Sequence, residues 1–515
     1  MKEPRAWENR PSFKRKRDNY GRKLRKKKLI KYLLNELRTC TTHGLPYIAN
    51  TEIHWLERVF WAVSFLLAVA ITIALLYKQY YRFSSSPIVT SVEMDYFNWN
   101  VSYPAITLCP MYKIEDDDLK EIVNETMENT GEDIDTQLRV LTTISYDTAD
   151  VVDFDSLEVS SVIKPTDYAM LAAMIFKKFD NNSLTTSTNW PVTVEAAMTE
   201  MGMCHVINSN VAQLDNPLKY ITAKYAKKNI DLSVHERDFF IQLVNYADVY
   251  KVFIHSPDEL IQSSTPSYTS RSSNYIYFGV KVWSTRISDR LRKYPLSVRN
   301  CRFLNEPINK RYPIYTYSHC LIECRIKMIL ELCGCIPHFY RRLDHEKVCN
   351  LSELPCFVEH KPEFIKLSVS DETLSNLTES RNRGKLPRAP RDCGCLSSCE
   401  SDIFTKDHET FTPQEDHNSM RVGISAYPKV RIVKDTIINL YDIILRSGGV
   451  INLCIGASVI SLAELLVLII KVILHYTVIV LSVIIRMCRY IIPRVRMWSM
   501  LRKKGNNNNN YVKVK

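Results

Sequence analysis

The chain has 515 residues, of which 46% are hydrophobic and 24% are charged, and its formal net charge is +12. This length and composition exclude a low-complexity chain and a single small domain. Apolar residues are concentrated in two blocks of about twenty residues, which predicts a membrane protein with two spans.

The first block, VFWAVSFLLAVAITIALLY (Val59–Tyr77), contains no charged residue and has the length of a membrane-crossing helix. More than fifty residues precede it, which favours an uncleaved anchor over a signal peptide. Residues 1–50 contain 15 Lys+Arg and 4 Asp+Glu, and residues 486–515 contain 9 Lys+Arg and no acidic residue. Because basic flanks stay cytosolic, we expect both termini in the cytosol, where they meet membrane lipid and no nucleic acid.

The segment between the spans carries two signs of an extracellular domain. Twelve of the 15 cysteines lie there, ten of them between Cys301 and Cys399, and this even number favours a disulfide framework. A zinc site is the alternative, although no CxxC occurs. Five sequons also fall in this segment and predict N-glycosylation at Asn100, Asn124, Asn181, Asn350 and Asn376.

Local patterns in this segment predict a mixture of α and β structure. In Ser318–Cys335, spacings of three and four predict a helix with one face formed by Leu321, Cys324, Met328 and Leu332. In Tyr275–Trp283, strict alternation predicts a half-buried strand that sends to one side Ile276, Phe278, Val280 and Val282. The polar stretch Ser380–Asp392 predicts a surface loop.

The second apolar block, INLCIGASVISLAELLVLII (Ile451–Ile470), contains two hydroxyls and a carboxylate. Ser458, Ser461 and Glu464 recur every three residues and would share one helical stripe. An ionised Glu in lipid costs at least ~2.5 kcal/mol, so Glu464 should face water or a bundle interior. Pairing with Lys471 is the alternative, but seven residues correspond to about 10 Å of helix rise.

The order of the motifs resembles the degenerin and epithelial sodium channel family, in its insect pickpocket-like branch. The motifs are THGLPYI before the first span, YPAITLC after it, the cysteine series with RNCRFLNE, CGCIPHFY and CGCLSSC, and GASVISLAE in the second span.

The resemblance implies an α+β membrane protein: a trimeric channel of two transmembrane helices and a large disulfide-rich mixed α/β extracellular domain. The expected segments are a cytoplasmic region with the His-Gly motif (1–56), the first transmembrane helix (57–80), the extracellular domain (81–446), the pore-lining second helix (447–472), and an apolar segment with a basic tail (473–515). The implied disulfides are Cys109–Cys204, Cys301–Cys399, Cys320–Cys395, Cys324–Cys393, Cys333–Cys356 and Cys335–Cys349.

The resemblance also implies roles for individual residues. Gly456, Ala457 and Ser458 match a narrow selectivity belt that three subunits would build, with Ser461 also in the pore and Glu464 on the cytosolic side of the belt. His43 and Gly44 match a motif before the first span that supports gating.

The chain departs from the family outside the second span. Relatives commonly have a small residue followed by Asp, whereas here Leu445 and Arg446 occupy these two gating positions. Val467 also stands where acid-sensing relatives have a second carboxylate. Because the cation-attracting charge is reduced at both ends, we expect the subunit to work best in a heterotrimer with related subunits, although a homotrimer stays open.

We therefore predict a subunit of a trimeric, sodium-selective cation channel in the plasma membrane, gated through its extracellular domain. No metal or cofactor is expected beyond the permeant sodium ion. Enzyme motifs are not found, since VHERDF (Val234–Phe239) lacks the second histidine of HExxH and there is neither a GxSxG nor a Walker loop. The alternative is a membrane-anchored, cysteine-rich receptor or adhesion protein without its own conductance.

Overall fold

The structure is a computed structural model that describes residues 30–508 except for 86–87, 131–132, 158, 188–189, 229, 237–238, 272–273, 369–392, 414–417 and 437–439. The chain forms two compact units. We call residues 1–87 with 437–515 the membrane unit, and residues 88–436 the disulfide-bonded unit. The predicted loop Ser380–Asp392 and the sequon residue Asn376 lie outside the described residues.

In chain order, the helices are α1 (30–38), α2 (Leu45–Ala49), α3 (Trp55–Ser85), α4 (Asp116–Thr130), α5 (Asp135–Thr143), α6 (Tyr168–Ile175), α7 (Asp289–Arg292), α8 (Leu296–Arg299), α9 (Tyr317–Cys333), α10 (Leu354–Glu359), α11 (Lys361–Lys366), α12 (Leu440–Ile455) and α13 (Val459–Asn508). Two of them contain segments long and apolar enough to cross a membrane, Trp55–Ser84 and Val459–Ser482.

The strands all belong to the disulfide-bonded unit: β1 (Ile88–Glu93), β2 (Val101–Ser102), β3 (Ala105–Pro110), β4 (Leu184–Thr186), β5 (Val194–Thr199), β6 (Gly202–Ile207), β7 (Asp231–Leu232), β8 (Phe240–Val244), β9 (Val249–His255), β10 (Ser267–Arg271), β11 (Asn274–Ile287), β12 (Cys301–Arg302), β13 (Ser397–Ser398), β14 (Ser401–Pro413), β15 (Ser419–Ala426) and β16 (Arg431–Thr436). They form a seven-stranded sheet in the order β1-β16-β11-β15-β8-β4 with β14 on β11, a five-stranded sheet in the order β10-β9-β3-β6-β5, and two two-stranded pairs.

Strand β11 lies in the middle of the seven-stranded sheet and confirms the predicted alternation. The buried side chains are the predicted Ile276, Phe278, Val280 and Val282. On the opposite side of the strand, Lys281 and Trp283 are exposed. The buried side chains join one apolar core with residues of β3, β8, β9 and β15. A second core is formed by the helices α4, α5, α6 and α9 with one end of the five-stranded sheet.

Helix α9 confirms the predicted helix but buries a wider face than its spacing indicated. It begins at Tyr317, where Thr316 caps it by accepting from the His319 N–H, and it ends at Cys333 before Gly334 in the left-handed region. Of the four predicted face residues, Cys324 and Met328 are buried, but the two leucines are only half-buried. The wider face also buries Ile322, Ile326 and Ile329. It includes Arg325, which pairs with Glu200 and donates to the Phe364 carbonyl.

Six disulfides hold the disulfide-bonded unit, and they join the same six pairs that the resemblance implied. Three of them start on α9, where Cys320 and Cys324 lie one turn apart and bind the segment that leads into β13. The alternative of a zinc site built from these cysteines is wrong, because all twelve are paired with each other in disulfides. These disulfides close loops of 14 to 98 residues. They stabilise the folded unit because they restrict the conformations of the unfolded chain.

Candidate functional site

The predicted second span is not one continuous helix. Helix α12 ends at Ile455, residues 456–458 are not helical, and α13 begins at Val459. Gly456 has φ +65°, a left-handed conformation that glycine adopts without the strain of a Cβ. The helix therefore breaks at the GAS triplet. Of the predicted stripe, Ser461 and Glu464 lie within α13, and Ser458 lies just before it.

Ser458 closes the break by capping the next helix. Its Oγ accepts from the Ser461 N–H (3.2 Å), and its own N–H donates to Ser461 Oγ (3.3 Å). This reciprocal pair satisfies donors at the start of α13 that have no partner within the helix. Ala457 and Ser461 are buried, at 4% and 2% exposure, while Ser458 stays exposed.

The loop before the first span contacts this break. His43 Nδ1 donates to the Gly456 carbonyl oxygen (3.2 Å). Gly44 has φ +89° and lies against the Phe65 ring of α3, where a Cβ would be 3.4 Å from the ring. The structure thus brings together two motifs separated by 413 residues of chain.

Thr41 and Glu36 make contacts with α13 that the sequence did not predict. Thr41 Oγ1 donates to Glu464 Oε2 (2.9 Å), the Thr41 N–H is 3.3 Å from the same oxygen, and Thr41 Oγ1 is 2.6 Å from Ser461 Oγ. Lys471 lies 3.7 Å from Glu36 and not beside Glu464. No sequence spacing marks these pairs, because the partners are more than 400 residues apart.

A cavity of about 410 Å³ opens beside these residues in the membrane unit. Glu36 and Cys40 line it from the N-terminal side, and Glu464, Leu468 and Lys471 line it from α13. Two carboxylates and one ammonium therefore leave the cavity net negative, which favours cations. Among the described residues, no cluster of three or more His, Cys, Asp or Glu side chains is placed to hold a metal ion.

Leu445 and Arg446 lie within α12 and are both exposed. They stand more than two helical turns before the break, so they do not contact the GAS triplet within one chain. The structure therefore does not join these two predicted gating residues to His43 and Gly44.

The described sequon residues differ in their surroundings. Asn100, Asn124 and Asn181 are exposed. Asn350 is only partly exposed, because its Oδ1 accepts from the Tyr168 hydroxyl (2.8 Å) and its side chain caps the turn that starts at Leu351.

A family model and several known proteins are similar to this chain in sequence. A family model described as amiloride-sensitive sodium channel matches residues 37–468. The chain is 24% identical over 293 residues to sodium channel protein Nach of Drosophila virilis, an alignment that covers 54% of this chain and 66% of that protein. It is 21% identical over 506 residues to pickpocket protein 28 of Drosophila melanogaster, covering 85% and 78%. It is 23% identical over 311 residues to the bile acid-sensitive ion channel of Mus musculus, covering 57% and 58%.

Proposed function

The chain belongs to the amiloride-sensitive sodium channel family, and from this premise we propose that residues 456–464 of the second span form its ion pathway. The protein is a cation channel subunit of the plasma membrane, not an enzyme, and channels of this family assemble from related subunits. The assembly that we propose is a trimer, with sodium as the permeant ion and both termini in the cytosol.

The observation that carries the proposal is the break at Gly456–Ser458. A helix that ends inside a span directs its last carbonyls and the negative end of its dipole toward the gap. Carbonyl and hydroxyl oxygens are the groups that replace the hydration shell of a cation in selectivity filters. Three copies of Gly456, Ala457 and Ser458 would thus supply a narrow ring of oxygens, in which the Gly456 carbonyl also contacts His43 and the Ser458 carbonyl also accepts from the Leu462 N–H.

Glu464 is the proposed inner cation-attracting group. Thr41 holds its carboxylate by two hydrogen bonds and so keeps it in place beside Ser461. A ring of three carboxylates raises the local cation concentration and repels anions.

His43 and Gly44 are the proposed gating residues on the inner side. The His43 contact to the Gly456 carbonyl ties the loop before the first span to the break. A shift of this loop would therefore change the shape of the oxygen ring, and we propose that such a shift accompanies opening.

Leu445 and Arg446 are proposed to act at the outer end. If three Arg446 side chains faced the axis, each would cost a passing cation ~0.4 kcal/mol at ~10 Å in water-like dielectric and ~1.7 kcal/mol at an effective ε of ~20. A related subunit with an acidic residue at this position would remove part of that barrier. We therefore propose a heterotrimer as the more active assembly.

The test of the pathway is Ser458→Leu in the full-length channel. Surface-labelled protein should stay unchanged and current per labelled channel should fall at least ~10-fold, because a bulky apolar ring narrows the pore and removes hydroxyl ligands. Val63→Leu in the first span is the matched control, since it slightly enlarges an exposed apolar side chain outside residues 456–464. Unchanged current and ion preference in Ser458→Leu would remove Ser458 from the pathway.

Two further measurements separate the other parts of the proposal. Tags at both termini should be detected only after permeabilisation. Expression of wild type alone, of Arg446→Asp alone, and of wild type with a related subunit tests the heterotrimer, which fails if wild type alone conducts as well as the variant. A surface-delivered protein that carries no current with any related subunit would favour the receptor or adhesion alternative.

A further inference from the structure

A cavity of about 330 Å³ belongs to the disulfide-bonded unit and shares no lining residue with the proposed ion pathway. It is lined by the residues after β3, by the loop that follows α5, and by β9. Lys113 and Lys251 reach it, and Asp147 is the one acidic side chain among the described residues that line it. The cavity therefore carries an excess of one positive charge.

Lys113 is the unusual member of this group, because its side chain is buried at 6% exposure. Its Nζ donates to the Met201 carbonyl oxygen, and among the described residues this is the one hydrogen bond that it makes. An ammonium carries three hydrogens, so two remain for other acceptors. Burying a charge without a counter-ion is costly, which makes this group a strong attractor for an anion.

The turn between β5 and β6 is built around this ammonium. Gly202 has φ +75°, and a Cβ added there would lie 2.6 Å from Lys113 Nζ. Any residue larger than glycine would thus displace the ammonium as well as strain the turn. The position of the Lys113 ammonium therefore depends on a glycine at residue 202.

The nearby Asp147 does not neutralise Lys113. Its carboxylate lies 2.6 Å from Lys251 Nζ, in a pair whose side chains are 42% and 32% exposed. Burial lowers the pKa of Lys113 to about 8, with repulsion from Lys251 adding to the effect and attraction to Asp147 opposing it. Lys113 therefore stays mostly protonated at neutral pH.

The hydroxyls around the cavity donate elsewhere. Thr148 Oγ1 donates to the Thr143 carbonyl (3.0 Å), and Ser145 Oγ lies 2.9 Å from Thr148 Oγ1. These two hydroxyls are used within their own turn. The remaining hydrogens of the two lysines are thus the polar donors that a ligand would meet.

The rim of the cavity is apolar. Met111 and Val151 are 60% and 86% exposed, and Val152 lies beside them. A bare inorganic anion would leave these side chains in water, whereas a ligand with a short hydrocarbon part would cover them. The charge inside and the apolar rim together select an amphipathic anion.

We propose that this cavity binds a small organic carboxylate, with its carboxylate at Lys113 and its alkyl group against Met111 and Val151. The site is independent of the proposed pore, so its test does not depend on ion conduction.

The test measures binding of sodium butyrate to the purified full-length channel in detergent, by ligand-observed NMR at constant ionic strength. Lys113→Met should weaken binding at least ~10-fold, because a hydrogen bond to a charged group is lost. Lys347→Met is the matched control, since Lys347 pairs with Glu353 at the surface away from the cavity, and it should leave binding unchanged. Butylammonium, which has the same alkyl group without a carboxylate, should not bind.

Asp147→Asn tests the same charge balance by a second variant, should Lys113→Met fail to fold. Removing this carboxylate raises the net charge of the cavity, so butyrate should bind about threefold or more tightly. Unaltered butyrate binding in Lys113→Met, weaker binding in Asp147→Asn, or no butyrate binding to the wild type would each overturn the proposal. Displacement of butyrate by an equal concentration of chloride would also overturn it, and would identify a halide site.

Discussion

Gly456→Ala tests the break in the second span most directly. Alanine in the left-handed region costs roughly 1–2 kcal/mol. The added Cβ would also overlap the His43 ring, whose Nδ1 is its nearest atom, and would displace the hydrogen bond to the Gly456 carbonyl. A lost hydrogen bond of this kind contributes about 0.5–1.5 kcal/mol. The conformation at residues 456–458 should thus lose roughly 1.5–3.5 kcal/mol, which is about a ten- to four-hundred-fold change in its population.

The assay is current per surface-labelled channel, with ion preference measured on the residual current. We expect Gly456→Ala to lose at least ~10-fold of the current, and His43→Ala, which loses only the hydrogen bond, to lose about 2- to 12-fold. The double variant should be no worse than Gly456→Ala, because the overlap is then absent. Gly448→Ala is the matched control: Gly448 lies within α12, and a Cβ there meets nothing within 4 Å among the described residues. Wild-type current and ion preference in Gly456→Ala would refute the idea that a left-handed Gly456 shapes the pathway.

Three further predictions concern other parts of the molecule. Thr41→Val should lower single-channel conductance several-fold because the inner carboxylate loses a hydroxyl donor, whereas Thr41→Ser should retain it; equal conductance in both would contradict the contact. Burial raises the pKa of Asp215 to about 7, so the folded state binds a proton there that the unfolded chain has released above pH ~4. The contribution of this group to the free energy of unfolding is therefore highest in acid and falls as pH rises from about 4 to about 7. Asp215→Asn should for this reason raise the Tm more at pH 8 than at pH 5. An equal shift of the Tm at both pH values would disprove the assignment. Cys333→Ser should release Cys356 as a free thiol and reduce surface delivery by losing about 2–5 kcal/mol, whereas Cys40→Ser should not; linkage of Cys333 to another cysteine by mass spectrometry would contradict the pairing.

Features that depend on local pattern could be predicted from the sequence. The first span follows from an uncharged apolar run, and the buried side of β11 follows from a period of two. The six disulfides needed more than spacing, since their connectivity came from the resemblance of the whole cysteine series. The helix α9 was found by its period, but Arg325 on its buried side was not, because an arginine is buried only where a partner such as Glu200 meets it.

The tertiary structure alone decided where polar groups find partners across long stretches of chain. Nothing in GASVISLAE states that Gly456 is left-handed, because a glycine also fits within a helix until His43 and the Ser458 cap favour the break. Nor does any pattern near Thr41 predict its bond to Glu464. Periodicity predicts which side of a helix or strand is apolar, but it does not predict which residue packs against that side. Such contacts depend on how distant segments fold onto each other, and so the sequence predicted the first span and the strand β11, while packing determined the break in the second span and the geometry of the site.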